Sequence, residues 1–202
     1  MTGPTVGVLA LQGDVREHLH ALSQVGARPV TVRRTGELDD VDGLILPGGE
    51  STTMAKLART FELFEAVADR IKTGMPTFGT CAGMILLADR VRDGIDGQET
   101  FGGLDITVRR NAFGRQVDSF ESEVLFNIDD PAFEQPVHAV FIRAPWVDEM
   151  GEGVDVLAAV AVPGVGDRIV AVQQGPVLAT SFHPEVSDDL RLHRYFLDLV
   201  TG

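Results

Sequence analysis

Pro76-Thr77-Phe78-Gly79-Thr80-Cys81-Ala82-Gly83-Met84-Ile85-Leu86-Leu87 joins a short apolar strand to an apolar helical run through a turn flanked by glycines. A strand that passes straight into a helix is the repeating unit of a parallel sheet covered by helices. The same rhythm runs upstream. Residues 6–11 read as a buried first strand, and Val15, Leu19, Leu22 and Val25, at helical spacing and followed by Gly26, predict a helix over about 14–25. Residues 29–33 form the expected second strand, and Gly43-Leu44-Ile45-Leu46 the third, which stops at Pro47-Gly48-Gly49. Ser51 is the expected cap of the next helix. Along it Leu57, Phe61, Phe64, Val67 and Ile71 carry an apolar face, with a break near Thr60.

Downstream the character changes. Residues 104–108, 121–126, 137–142, 154–160, 168–173 and 177–182 are candidate strands, several of them antiparallel. A last amphipathic helix is expected from Ser187, with Asp188 and Asp189 in its first turn. Residues 94–103 and 163–167 read as surface loops. The expected fold class is α/β, a three-layer α/β/α sandwich around a mostly parallel, mixed central sheet, in one domain over residues 1–202.

Composition narrows the functions. The 202 residues hold 44% hydrophobic side chains, enough for a sizeable core, and 17 Lys plus Arg against 30 Asp plus Glu give a formal charge of −13. That balance argues against nucleic acid or an anionic membrane as a partner. One cysteine cannot close an internal disulfide, which suits a reducing compartment. Met1-Thr2-Gly3-Pro4 carries no basic leader and residues 6–11 are too short to span a bilayer, so a soluble, cytoplasmic protein is expected.

The lone cysteine sits in Gly79-Thr80-Cys81-Ala82-Gly83, the G-x-nucleophile-x-G pattern of a nucleophile elbow with Cys in place of Ser. The tight turn needs small neighbours, and the helix N-terminus beside it favours a thiolate. A buried, inert cysteine is the competing reading. Of five histidines, His18 and His20 lie two apart on a helix and are expected at the surface, while His138 and His193 read as structural. His183 ends an apolar strand and is followed by Pro184-Glu185. Residues two apart on an extended chain point the same way, so Glu185 can accept from the His183 ring and fix its tautomer, making a Cys-His-Glu triad plausible. The glycines of Pro47-Gly48-Gly49-Glu50-Ser51 let backbone N–H groups approach a ligand and, with the N–H of Ala82, form an oxyanion hole. A phosphate loop is a weaker alternative, because neither G-x-x-x-x-G-K-[ST] nor a full G-x-G-x-x-G is present. No metal-ligand pattern is found.

Phe78-Gly79-Thr80-Cys81-Ala82-Gly83, Leu46-Pro47-Gly48-Gly49-Glu50-Ser51 and Ser181-Phe182-His183-Pro184-Glu185 together resemble class I, triad-type glutamine amidotransferases, which have a flavodoxin-like α/β/α fold. Leu9-Ala10-Leu11-Gln12-Gly13-Asp14-Val15-Arg16-Glu17-His18, residues 110–121 and Phe141-Ile142-Arg143-Ala144-Pro145 are similar, more narrowly, to the glutaminase subunits of pyridoxal 5′-phosphate synthases. The resemblance spans nearly the whole chain and is weakest at 93–100 and 162–168. It implies hydrolysis of L-glutamine to glutamate and ammonia, the ammonia passing to a separate synthase subunit. The resemblance further implies that this partner orders the oxyanion loop and assembles the pyridoxal phosphate, which would then be a product and not a cofactor of this chain. The resemblance also implies Cys81 as nucleophile, His183 as acid/base, Glu185 as its orienter, and Gly48, Gly49, Glu50, Arg110, Ile142 and Arg143 as glutamine contacts. Two rivals remain open on the sequence. One is a cysteine peptidase or stress protein of a related elbow-bearing fold, and the other is a non-enzymatic flavodoxin-like binding module.

Overall fold

In the computed structural model of the chain, residues 3–110, 119–162 and 164–202 are described. They form twelve strands and six helices in the order β1 (Thr5–Leu9), α1 (Val15–Gln24), β2 (Arg28–Val32), α2 (Thr35–Leu38), β3 (Gly43–Leu46), α3 (Ser51–Thr60), α4 (Phe64–Lys72), β4 (Thr77–Thr80), α5 (Ala82–Leu87), β5 (Ala88–Arg92), β6 (Leu104–Arg109), β7 (Ser119–Val124), β8 (Val137–Ile142), β9 (Trp146–Met150), β10 (Asp155–Val162), β11 (Gly166–Gln174), β12 (Val177–Thr180) and α6 (Arg191–Thr201). Ten strands make one mixed sheet in the order β2-β1-β3-β4-β12-β11-β9-β6-β5, with β10 paired to β11. From β2 to β12 every pairing is parallel. Beyond it β11, β9 and β6 pair antiparallel, and β5 returns parallel to β6. Strands β7 and β8 form a separate antiparallel ribbon.

Burial explains why the parallel half was readable. Strands β3, β4 and β12 are buried at every position, so none of them carries a charged residue and β3 appears as an unbroken apolar run. On β3, Leu44 and Leu46 pack with Met54, Leu63, Val67 and Leu86 from α3, the turn before α4, α4, and α5. Ile45 turns the other way and joins Phe78, Leu22 of α1, and Leu192 and Phe196 of α6, together with Phe141 of β8. Each such side chain contributes about 1.5–3 kcal/mol when fully buried. The three-layer α/β class therefore holds, with α2 to α5 on one face and α1, α6 and the β7–β8 ribbon on the other.

Several local expectations change. The expected break in the third helical run falls at Phe61 and Glu62, where Glu62 takes a φ of +59°. The last helix begins at Arg191, four residues later than expected, because Asp189 stays outside it and accepts from the Arg191 backbone N–H (3.1 Å) and guanidinium. Elements α2, β5 and β9 had no sequence expectation. The branch-specific segment 110–121 falls largely on residues 111–118, outside the described residues. No helix among those described is long and apolar enough to cross a membrane.

Candidate active site

The parallel register pairs Leu46 with Gly79 and Thr80 with Thr180, so the chain leaves β3, β4 and β12 at neighbouring points on one edge of the sheet. That edge, at the carboxyl ends of parallel strands, is where α/β folds place their ligands. Cys81 follows β4 directly and stands at the N-cap of α5 with φ +48° and ψ −99°, a conformation L-residues seldom adopt. Its N–H donates to the Thr180 carbonyl (2.8 Å), which pins the turn. Gly83 is required here for close approach: a Cβ on it would lie 2.1 Å from the Leu46 carbonyl oxygen. The elbow read from the sequence is thus present, and the Cys81 thiol reaches the Ile142 carbonyl at 3.9 Å.

His183 follows β12 and is 5% exposed. Its Nδ1 lies 2.8 Å from Glu185 Oε1 and 3.3 Å from Asp14 Oδ2, and the ring lines the same cleft as Cys81. Cys81, His183 and Glu185 are therefore together, as expected, but the route differs. Glu185 reaches the ring through the single 3-10 turn Pro184–Val186, with Pro184 at its first position, and not along an extended chain. Burial acts to strip His183 of its proton, yet the contacts to Asp14, Cys81 and Glu185 outweigh it and push its pKa up to about 12. Burial likewise disfavours an ionised Glu185, but the neighbouring His18 and His183 hold its carboxyl well below the usual carboxylate range. Gly48 backs the ring, since a Cβ there would fall 2.3 Å from His183 Cε1 and 2.9 Å from Asp14 Oδ2.

The facing wall is the loop after β3. Glu50, and not Ser51, is the N-cap of α3: its carboxylate accepts from the N–H groups of Thr52 (3.2 Å) and Thr53 (2.7 Å) and from the Thr53 hydroxyl (2.7 Å). Burial opposes ionisation of Glu50, and these donors overcome it, lowering its pKa to about 2. The longer carboxylate reaches both orphan N–H groups, while Ser51 Oγ instead accepts from Gln98 Nε2 (3.0 Å). Gln12 ties this loop to the one after β1 by accepting the Glu50 N–H at 2.7 Å. Arg110 donates to Glu50 (3.0 Å), Gln98 (2.7 Å) and Thr52 (3.2 Å). Arg143, with φ +46°, has no hydrogen bond or ion pair among the described residues. Gly49, Glu50, Cys81, Ala82, Arg110, Ile142, Arg143 and His183 line one cleft of about 360 Å³, joined by Gln12, Asp14, Ser51 and Ile85.

Sequence reasoning missed Gln12 and Asp14 as individual site residues, although both stand in a segment that carries the resemblance. His18 is a correction: it is fully buried, not at the surface, with Nε2 at 3.1 Å from Thr80 Oγ1 and 3.5 Å from Glu185 Oε1. Its burying partner is His193, on α6, 175 positions away. His20 is exposed as expected. Among the described residues Asp14, His183 and Glu185 are the one group whose atoms cluster closely enough for a metal ion. That group is already bound to itself by the His183 contacts.

Comparison with known proteins places this geometry. The model of the SNO glutamine amidotransferase family matches residues 8–201. A pyridoxal 5′-phosphate synthase subunit PdxT of a Nocardioides species is 64% identical over 200 residues, covering 99% of this chain and 98% of the relative. The same subunit from Kineococcus radiotolerans is 61% identical over 200 residues, covering 98% and 95%. A crystal structure described as a glutamine amidotransferase superposes with a TM-score of 0.87 at 47% identity, over 98% of this chain and 99% of that one. The PurLQS structure from Thermotoga maritima includes a chain, 18% identical, that shares the fold with a TM-score of 0.63 over 100% and 96% of the two chains.

Proposed function

The chain belongs to the SNO glutamine amidotransferase family, and on that premise we propose that Cys81, His183 and Glu185 carry out its glutaminase reaction in the cleft between the two walls. Its function is that of the glutaminase subunit of pyridoxal 5′-phosphate synthase, hydrolysing L-glutamine to glutamate and ammonia. The synthase subunit that accepts the ammonia is its partner.

The observation that carries the assignment is the His183–Glu185 pair in one cleft with Cys81, which is held at a strained elbow. Cys81 Sγ attacks the side-chain carboxamide carbon, and the N–H groups of Gly49 and Ala82 receive the developing oxyanion, each such donor being worth about 10²–10³ in rate. His183 gives its proton to the departing ammonia. A γ-glutamyl thioester remains; His183 takes a proton from water, the hydroxide displaces the thiolate, and glutamate leaves. Glu185 keeps the Nδ1 proton in place so that the other ring nitrogen works on Cys81 and substrate. At the far end Arg143, which has no ion pair among the described residues, suits the substrate carboxylate, and Glu50 its ammonium. Arg110 holds Glu50 in position while lining the same cleft.

Cys81→Ala, assembled with the synthase subunit, is expected to release no ammonia from glutamine. A glutamine-analogue alkylator is expected to label the wild type stoichiometrically and to be blocked by glutamine. Retained hydrolysis by Cys81→Ala overturns the assignment.

A further inference from the structure

Behind the triad lies a buried polar chain that the reaction as described does not use. His193 Nε2 is 3.0 Å from His18 Nδ1, His18 Nε2 is 3.1 Å from Thr80 Oγ1, and the Thr80 hydroxyl donates to Glu185 Oε1 at 3.4 Å. His18, Thr80 and His193 are each 0% exposed. They come from α1, the last residue of β4, and α6, so three separate elements deliver them to one carboxylate. Both imidazoles also pack against Phe78 in T-shaped geometry, with ring centroids 6.5 and 6.0 Å apart.

The protons on this chain can be placed. His193 Nδ1 has no partner among the described residues, so a proton there would be a buried orphan donor, costing about 1–3 kcal/mol. Burial keeps the His193 ring neutral, and its single proton therefore lies on Nε2 and is donated to His18 Nδ1. His18 Nδ1 then accepts, and its own proton lies on Nε2, aimed at Thr80 Oγ1 and at Glu185 Oε1 beyond it. Thr80, receiving there, turns its hydroxyl proton to Glu185. Every donor on the chain points the same way, toward the oxygen that also accepts from His183 Nδ1.

We propose that His193, His18 and Thr80 form a unidirectional donor relay that fixes the Glu185 carboxylate for its work on His183, making His18 and Thr80 positioning residues for glutamine hydrolysis. The proposal rests on the reading in which Glu185 orients His183. Glu185 Oε2 makes no hydrogen bond among the described residues, so all of the donor support of this buried carboxylate converges on Oε1. With the relay gone, His183 would be the sole close donor to a charge that burial disfavours. None of the three relay residues lines the cleft, so substrate binding is untouched by them.

A matched pair of substitutions tests this in the full chain assembled with its synthase subunit. His18→Asn keeps a polar atom near the Nδ1 position for His193 but removes the donor at Nε2. His18→Gln restores a donor at the Nε2 position. The Asn variant is expected to lose on the order of 10- to 100-fold in kcat with KM within about twofold, and the Gln variant to stay within about threefold of wild type. In a Glu185→Gln background the Asn loss is expected to shrink below about twofold, because the group through which His18 acts is no longer a carboxylate. Thr80→Val and Thr80→Ser form a second pair with the same expected split, independent of how His18 variants fold. Equal kcat for both members of each pair, or an undiminished Asn loss in the Glu185→Gln background, overturns the relay. Activity retained by Cys81→Ala would instead overturn the triad itself, whatever His18 variants do.

Discussion

The two walls of the cleft are built on opposite principles. The wall from β4 and β12 is dry: Cys81, His183 and Glu185 are 5–7% exposed, and each is anchored by backbone or buried side-chain bonds. The wall from the β1 and β3 loops is half open, with the Glu50 side chain 47% exposed and held by its own helix cap, Gln12 and Arg110. The residues of the closed wall are locked in one geometry, and at a reacting group a misplacement of about 1 Å can cost 10²-fold in rate. The residues of the open wall are held by surface contacts that an incoming polar ligand can replace. Gly48 is where the walls meet, packed against both His183 and Asp14.

Breaking that junction is expected to have the largest effect. Gly48→Ala forces a methyl into the His183 ring position, and glutaminase kcat measured in the assembled enzyme should fall by roughly 10²-fold while the far-ultraviolet circular dichroism stays native. A smaller effect separates recognition from reaction on the open wall. Glu50→Gln keeps an acceptor for the α3 cap but removes the charge facing the substrate ammonium, so steady-state kinetics should show KM rising by about tenfold with kcat little changed. Glu50→Ala should in addition lower thermal stability by about 1 kcal/mol through loss of the cap.

The smallest effect concerns the closed wall under acid. His193 is held neutral down to a pKa of about 3, below its ordinary 6.5, by burial first and by His18 second. The unfolded chain therefore takes up a proton that the folded one refuses. This stability is fully present above pH 6.5 and declines as pH falls from 6.5 toward 3, by at most about 1.4 kcal/mol per pH unit. Chemical denaturation across that window should show the slope in the wild type and a flatter acid limb in His193→Gln.

What could be read in the sequence followed the same division. Strands β1, β3 and β12 were legible because near-complete burial writes them as largely apolar runs, and the glycine-flanked elbow was legible because close backbone approach leaves a residue-type signature. Strands β5 and β9 were not: ADRVR and WVDEM carry charges on their exposed sides and owe their extended form to pairing with β6. The four-residue α2 is too short to show periodicity. The residues of the proposed triad and of the β3 loop could be singled out because motif spacing is local. His18 was misplaced because the partner that buries it is remote in sequence, and the α3 cap because Glu50 outcompetes the expected serine by reach.

The dihedrals of Cys81 carry an evolutionary consequence. A non-glycine residue at such a position raises the energy of the native state by about 1–3 kcal/mol. On the proposed mechanism, glycine at position 81 would relieve that strain and abolish the nucleophile in the same step. On that reading the thiol sits where selection for a sturdier protein and selection for a working enzyme pull in opposite directions.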